Sequence, residues 1–147
     1  MLRAIRAAFI RNTEELTLEQ LLFIPAGFRN NILWHLGHVI AAQQNLHYNF
    51  SGLPLQVSDE LMRSFRPGTS PEDWESTPDV AEIRRLLVEL PDRLAADYEA
   101  GVFQEYREFT TRTGITIGSL EAAIEFELFH EGLHLGVIQT FRRMLAA

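Results

Sequence analysis

Phe129-His-Glu-Gly-Leu-His134 lies near the middle of a helix that the hydrophobic pattern predicts over residues 120–145. On an α-helix with 3.6 residues per turn, His130 and His134 are about 40° apart around the axis. Both side chains therefore point the same way from successive turns. Two imidazoles at this spacing are suited to bind a divalent metal ion. Because two ligands do not complete a metal site, a further ligand must come from elsewhere in the chain.

The composition is that of an ordinary globular protein. The chain has 147 residues, of which 46% are hydrophobic and 22% charged. This length is sufficient for a buried core, and we expect one domain over residues 1–147. The formal net charge of −7 argues against binding to nucleic acid or to an anionic membrane surface. We therefore expect neither a nucleic-acid nor a membrane partner.

Cysteine is absent from the chain. This excludes disulfides, cysteine-ligated zinc, iron–sulfur clusters and a cysteine nucleophile. Arginines interrupt the apolar residues near Met1, and the sequence has no apolar run of membrane-spanning length, so we expect neither a signal peptide nor a membrane span. Together these features predict a cytoplasmic protein.

Apolar residues recur at helical spacing in four long segments, which cover residues 2–16, 31–50, 78–100 and 120–145. Shorter helical pieces are expected after Thr17, over 58–64 and at Pro71. Asn30 or Asn31 is the expected cap of the second long helix, and Ser119 is that of the last. Pro91 should kink or divide the third long helix. Residues 102–117 form either a small hairpin or an extended crossover. The predicted fold is all-α: an up-down four-helix bundle with a long crossover, residues 51–78, between helices two and three.

The five histidines, at positions 35, 38, 47, 130 and 134, are the candidate metal ligands. A single histidine is more often a core, capping or surface residue than a ligand. The pair His130 and His134 lies on a mainly apolar face, where unpaired imidazoles carry a desolvation cost that a metal ion removes. His38 would complete a three-histidine set with open positions, as in catalytic zinc sites. His47 is nine residues further on, which predicts the opposite face of that helix.

Gly37 and Gly136 are predicted to allow close approach of neighbouring helices.

His130-Glu-Gly-Leu-His134 also matches the metalloprotease signature. In those enzymes the third ligand lies further along the chain and a sheet edge holds the substrate, whereas no His, Asp or Glu follows His134. We therefore reject a protease. Glu131, about 100° around the helix from His130, is interpreted as a solvated carboxylate or one that orients an imidazole.

Three stretches resemble the DinB superfamily of DinB/YfiT-like proteins. They are Asn31-Ile-Leu-Trp-His-Leu-Gly-His-Val-Ile, His130-Glu-Gly-Leu-His-Leu-Gly-Val-Ile and the linker Phe65-Arg-Pro-Gly-Thr-Ser-Pro-Glu-Asp-Trp. The resemblance implies a helical bundle that holds a divalent ion (zinc, nickel or iron) through His38, His130 and His134, and it implies a homodimer. Relatives often have Arg-Gly-Gln after the last histidine, whereas this chain has Leu135-Gly-Val.

The resemblance further implies either a thiol S-transferase or a metal-dependent hydrolase. In both, the ion would lower the pKa of its bound nucleophile, a low-molecular-weight thiol or water. Trp34, His35 and Tyr48 are candidates to line the approach to the ion, and Phe65 and Trp74 are candidates to cover it, although core packing is the commoner role of such residues. The alternative is a non-catalytic, metal- or ligand-binding dimeric bundle. Three imidazoles suit zinc, nickel, copper or iron alike.

Overall fold

The structure, a computed structural model, describes residues 1–145 and is mostly helical, which confirms the all-α prediction. Residues 146 and 147, the end of the expected domain, lie outside the described range. Within it the long helices are α1 (Leu2–Thr13), α3 (Ile32–Gln43), α5 (Val80–Glu99) and α6 (Leu120–Leu145), and α2 (Leu18–Leu22) and α4 (Asp59–Phe65) are short. A π-helical segment, Gln44–Asn49, continues α3, and Pro71–Asp73 form a 3₁₀ turn.

The long helices pack around a shared core. Helix α1 contacts α5 and α6, and α3 contacts the same two helices. Every residue of α3 from Ile32 to Ala41 is buried. A helix that is apolar all round belongs in the interior, so α3 places its two histidines inside the protein. Among residues 1–145, no helix combines the length and the apolar character needed to cross a membrane.

The predicted helix starts are confirmed by their caps. Asn31 accepts a hydrogen bond from the backbone N–H of Trp34 at 2.8 Å, which begins α3. Ser119 accepts one from Ala122 at 3.2 Å, which begins α6. The capping box at Thr17 is present, and Ser58 caps α4. These side-chain oxygens satisfy backbone donors that have no partner inside the helix.

Pro91 does not divide its helix, since α5 runs from Val80 to Glu99. Proline removes one backbone donor, and the buried face that includes Leu87 and Leu90 offsets the loss by packing.

Residues 102–117 contain the hairpin rather than the extended alternative. Its strands, β1 (Phe109–Thr110) and β2 (Thr116–Ile117), pair antiparallel.

The predicted helix over 31–50 is α-helical only as far as Gln43. The π-helical segment that follows has wider turns, because its hydrogen bonds span five residues instead of four. His47 is therefore not on the face opposite His38, as the α-helical spacing predicted. It is fully buried, with Nε2 3.4 Å from Glu127 Oε2 of α6. Helix α6 thus faces both histidines.

The crossover packs on α3 through Phe65. The aromatic ring of Phe65 lies directly against Gly37, where a Cβ would overlap the ring. Close approach at Gly37 is therefore confirmed. The corresponding prediction for Gly136 is wrong within residues 1–145, because a Cβ there would meet nothing within 4 Å. Trp74 packs against Phe65 edge to face and donates its indole N–H to the carbonyl of Ser64.

Candidate metal centre

Three imidazoles meet between α3 and α6. One nitrogen each from His38, His130 and His134 lies within 4.8 Å of those of the other two. Nε2 of His130 and Nε2 of His134 are 3.1 Å apart. The structure thus brings together the three residues that the sequence pointed to, although His38 is about ninety residues before the other two in the chain. Three converging nitrogens are a donor set that fits a divalent ion.

Two neighbours hold the ring of His38, one at its Nδ1 edge and one on a face. Nδ1 of His38 lies 2.7 Å from the backbone carbonyl oxygen of Phe65. A carbonyl only accepts, so Nδ1 carries the proton and Nε2 keeps its lone pair. The indole of Trp34 stacks on the ring of His38, with centroids 4.5 Å apart and an interplanar angle of 11°. A partner on the second ring nitrogen is the usual way in which a protein orients a metal-binding histidine.

The crossover also holds Trp34. The indole N–H of Trp34 donates to Thr69 Oγ1 at 3.1 Å, and the Thr69 hydroxyl lies 2.8 Å from the Arg66 carbonyl. The sequence suggested Phe65 as a cover for the ion. In the structure its backbone carbonyl contacts His38, and its ring packs against Gly37. Trp34 lies at the site as expected. Tyr48 does not line the approach, because its hydroxyl donates to Asp97 of α5 and its ring packs against Phe103.

The two histidines of α6 differ in their second contact. Nδ1 of His134 lies 2.7 Å from Nδ1 of His35, one turn before His38 on α3. Nδ1 of His130 is buried and has no hydrogen-bond partner among residues 1–145. The ring of His130 stacks on Phe126, with centroids 6.0 Å apart. Packing therefore holds the Nδ1 edge of His130, whereas the Nδ1 atoms of the other two imidazoles each have a hydrogen-bond partner.

Burial lowers the pKa of each imidazole in the set. The pKa of His130 falls to about 4, with the charges of His38 and Arg6 adding to the effect of burial. Burial lowers the pKa of His134 to about 2, and the three histidines around it add to this effect. Burial also lowers the pKa of His38, and its hydrogen bond to the Phe65 carbonyl opposes this in part. All three rings are neutral near pH 7, so their lone pairs are available to a metal ion.

A buried ionic cluster lies beside the imidazoles, and its members are Arg6, Gln43, His47, Glu127 and Glu131. Arg6 Nε donates to Glu131 Oε1 at 2.7 Å. Its Nη2 donates to Gln43 Oε1 at 3.2 Å and lies 3.5 Å from Glu127 Oε1. All five side chains are at most 1% exposed. The interpretation of Glu131 as a solvated carboxylate is therefore wrong, because it forms a buried ion pair with α1.

The charges in this cluster do not balance if both carboxyls are ionised. Burial and the neighbouring Glu131 raise the pKa of Glu127 well above its usual range, although Arg6 opposes the rise. Burial raises the pKa of Glu131 too, with the contact to Arg6 opposing it. One guanidinium neutralises one carboxylate, so we assign the charge to Glu131, which Arg6 contacts directly, and the proton to Glu127.

Sequence reasoning missed this cluster, although a signal was present. Arg6 is four residues after Leu2 and three before Phe9, so it falls on the apolar face of α1. Glu127 and Glu131 are four apart and continue the buried stripe that starts at Leu120 and Ala123. A charged residue on an apolar stripe usually has a buried partner of opposite charge.

A separate cavity of about 840 Å³ lies between the crossover and α5. Phe65, Thr69 and Ile83 are among its lining residues, and His38, His130 and His134 are not. Its lining also includes charged residues of both signs, among them Glu60, Glu75 and Arg63. Phe65 and Thr69, which contact His38 and Trp34, therefore also line this cavity, but the three imidazoles do not converge on it.

No curated protein matches this chain significantly. A family model, that of the DinB superfamily, matches residues 1–138. The matched range contains all three converging histidines, and the family and the cluster together fit a metal-binding protein. The chain, matched by this model over nearly its whole length, belongs to the DinB superfamily.

Proposed function

We propose that this protein is a divalent-metal-dependent enzyme of the DinB/YfiT-like type. The observation that carries the proposal is the convergence of three neutral imidazoles, from His38, His130 and His134, within 4.8 Å of one another. Three protein ligands leave at least one position for water or substrate, which is typical of catalytic rather than structural zinc sites. Zinc, nickel and iron all accept such ligands.

The favoured reaction is transfer to or from a low-molecular-weight thiol, with hydrolysis as the second candidate. A bound ion supplies Lewis acidity, which lowers the pKa of a coordinated thiol or water. The chain contains no cysteine, so a thiolate nucleophile would have to come from a cosubstrate. The protein's own contribution is to keep the imidazoles neutral by burial and to orient them, through the Phe65 carbonyl at His38 and through His35 at His134.

The rival proposal is a non-catalytic, metal- or ligand-binding dimer. A purely structural zinc site is normally closed by four protein ligands. His35 is the nearest additional histidine, and its Nδ1 contacts His134 rather than joining the three-nitrogen set. Among the described residues no other His, Asp or Glu joins that set. This arrangement favours the open site that an enzyme needs.

Three further features belong to this proposal. The contacts of α1 and α3 with α5 and α6 support an up-down four-helix bundle. Phe129 and Leu133, one turn apart on α6, are 54% and 55% exposed, and adjacent exposed apolar side chains can form part of an interface. They support a homodimer in which this face meets a second copy of the chain. The cysteine-free composition supports a cytoplasmic location.

The test is metal analysis of protein purified without a histidine tag, followed by a thiol-conjugation screen. We expect about one divalent ion per chain, a rise in melting temperature when the ion is added to metal-free protein, and thiol transfer to electrophiles that a chelator abolishes. Metal binding without thiol transfer or hydrolysis would favour the non-catalytic rival. Protein that neither contains nor binds a divalent ion would contradict the proposal altogether.

A further inference from the structure

His35 is the histidine whose role the metal proposal does not explain. It lies one turn before His38 on α3 and is 8% exposed. Its ring packs edge to face against Phe141, with centroids 5.6 Å apart. Its Nδ1 lies 2.7 Å from Nδ1 of His134. This is a short, partly buried contact between a ring outside the three-nitrogen set and a ring inside it.

The contact restricts where the proton of His134 can be. A hydrogen bond between two imidazole nitrogens needs one proton between them, so one ring donates and the other accepts. If His35 donates, neutral His134 carries its own proton on Nε2, the nitrogen that faces His130. If His134 donates from Nδ1, its Nε2 is bare. Only the second arrangement allows His134 to bind an ion on the side where the imidazoles converge.

We propose that His35 is a positioning residue for the metal centre: its Nδ1 accepts a hydrogen bond from Nδ1–H of His134 and so holds His134 with Nε2 directed at the ion. This inference rests on the proposed metal site. The same arrangement is seen at His38, where the Phe65 carbonyl is the acceptor. Partners of this kind fix both the tautomer and the ring orientation of a ligand. His35 differs from the carbonyl in being a side chain, so its role can be tested by substitution.

The experiment compares zinc affinity, measured by competition with a chromophoric chelator, in the unsubstituted protein and three variants. His35→Leu fills similar volume but accepts no hydrogen bond. His35→Asn offers a carbonyl oxygen close to the position of Nδ1. His47→Asn is the control, a buried histidine that contacts Glu127 and not the converging imidazoles. Thermal unfolding of each metal-free variant checks that all four proteins are folded.

We expect His35→Leu to weaken zinc binding by about 10- to 100-fold, the usual effect of losing a partner of a metal-binding histidine. His35→Asn should restore most of that affinity, and His47→Asn should bind zinc like the unsubstituted protein. Nitrogen-15 NMR of the zinc-loaded protein should show His134 protonated at Nδ1 and metal-bound at Nε2. In His35→Leu the apo protein should show a mixture of His134 tautomers.

Two results would overturn the role of His35 and leave the metal site intact. One is undiminished zinc affinity in His35→Leu, and the other is an Asn variant as weak as the Leu variant, which would indicate packing rather than hydrogen bonding. A zinc-loaded His134 bound through Nδ1 would overturn it as well. Absence of zinc binding by the unsubstituted protein is a different outcome, because it would remove the proposed metal site together with this role.

Discussion

Gly37 and Phe65 are in direct contact across α3 and the crossover, and a Cβ at position 37 would overlap the Phe65 ring. The backbone carbonyl of the same Phe65 accepts a hydrogen bond from Nδ1–H of His38. The close approach that glycine permits therefore sets the position of a carbonyl that orients a candidate metal ligand. A side chain at position 37 is therefore expected to disturb both the packing of Phe65 and the orientation of His38.

Gly37→Ala should lower the free energy of unfolding by about 1–3 kcal/mol, because it overfills a packed contact. It should also weaken zinc binding, since Phe65 must move away from His38. Chemical denaturation and a zinc titration measure the two effects. Gly136→Ala is the matched control, since a Cβ there meets nothing within 4 Å. Equal stability of the two variants would contradict the expected overlap.

His38→Ala should weaken zinc binding by at least about 100-fold, because it removes a ligand and not merely a partner of one. His47→Asn should leave zinc affinity unchanged, since Nε2 of His47 faces Glu127 instead. Competition with a chelator measures both affinities. Similar losses in the two variants would show that His38 is not the third ligand.

Glu127→Gln and Glu131→Gln should differ in stability although both carboxyls are fully buried. Burial keeps Glu127 protonated by raising its pKa, so a neutral amide is a mild change there. Glu131 receives the hydrogen bond from Arg6 Nε, and replacing it leaves a buried guanidinium without its counter-charge. We expect a loss of about 3 kcal/mol for Glu131→Gln and less than about 1 kcal/mol for Glu127→Gln in urea unfolding. The reverse order would assign the proton to Glu131.

His47 should make the protein less stable in acid. Burial lowers its pKa to about 3, and the nearby charge of Arg6 adds to this effect. Between pH 6.5 and 3 the unfolded chain therefore binds a proton at His47 that the folded chain does not. Stability falls as pH decreases through this window, with a contribution from His47 of at most about 1.4 kcal/mol per pH unit.

Unfolding of the unsubstituted protein and of His47→Gln, measured in urea from pH 7 to pH 4, isolates this contribution. The variant should show a shallower loss of stability towards acid, because glutamine does not titrate. The remaining decline reports other buried histidines, including His35, whose pKa burial lowers to about 4. Parallel pH profiles for the two proteins would show that His47 titrates alike in the folded and unfolded states.

Leu133→Gln should convert the proposed homodimer into a monomer. Leu133 is 55% exposed on α6, beside Phe129. Val88→Gln is the matched control, because Val88 is 56% exposed on α5, outside the proposed interface. Size-exclusion chromatography with light scattering distinguishes the states. A dimer that survives Leu133→Gln but not Val88→Gln would place the interface on α5.

Much of the helical framework follows from sequence alone. The caps at Asn31 and Ser119 and the spacing of His130 and His134 depend on residues within one or two turns of each other. Local geometry of this kind is set by backbone dihedrals and helical periodicity, which neighbouring residues encode. The pairing of His38 with the histidines of α6 needed one more step, namely that two apolar helix faces pack together.

What the tertiary structure alone decided lies at contacts between distant segments. The Phe65 carbonyl meets His38 across 27 residues, His35 meets His134 across 99, and Arg6 meets Glu131 across 125. Periodicity shows which face a side chain occupies but not which partner it meets there. The wider turns of the π-helical segment also changed the face of His47, which an α-helical count assigned wrongly. Sequence thus determined a helical protein with three candidate ligands. Packing decided which groups orient these ligands and how deeply they are buried, and burial keeps them neutral.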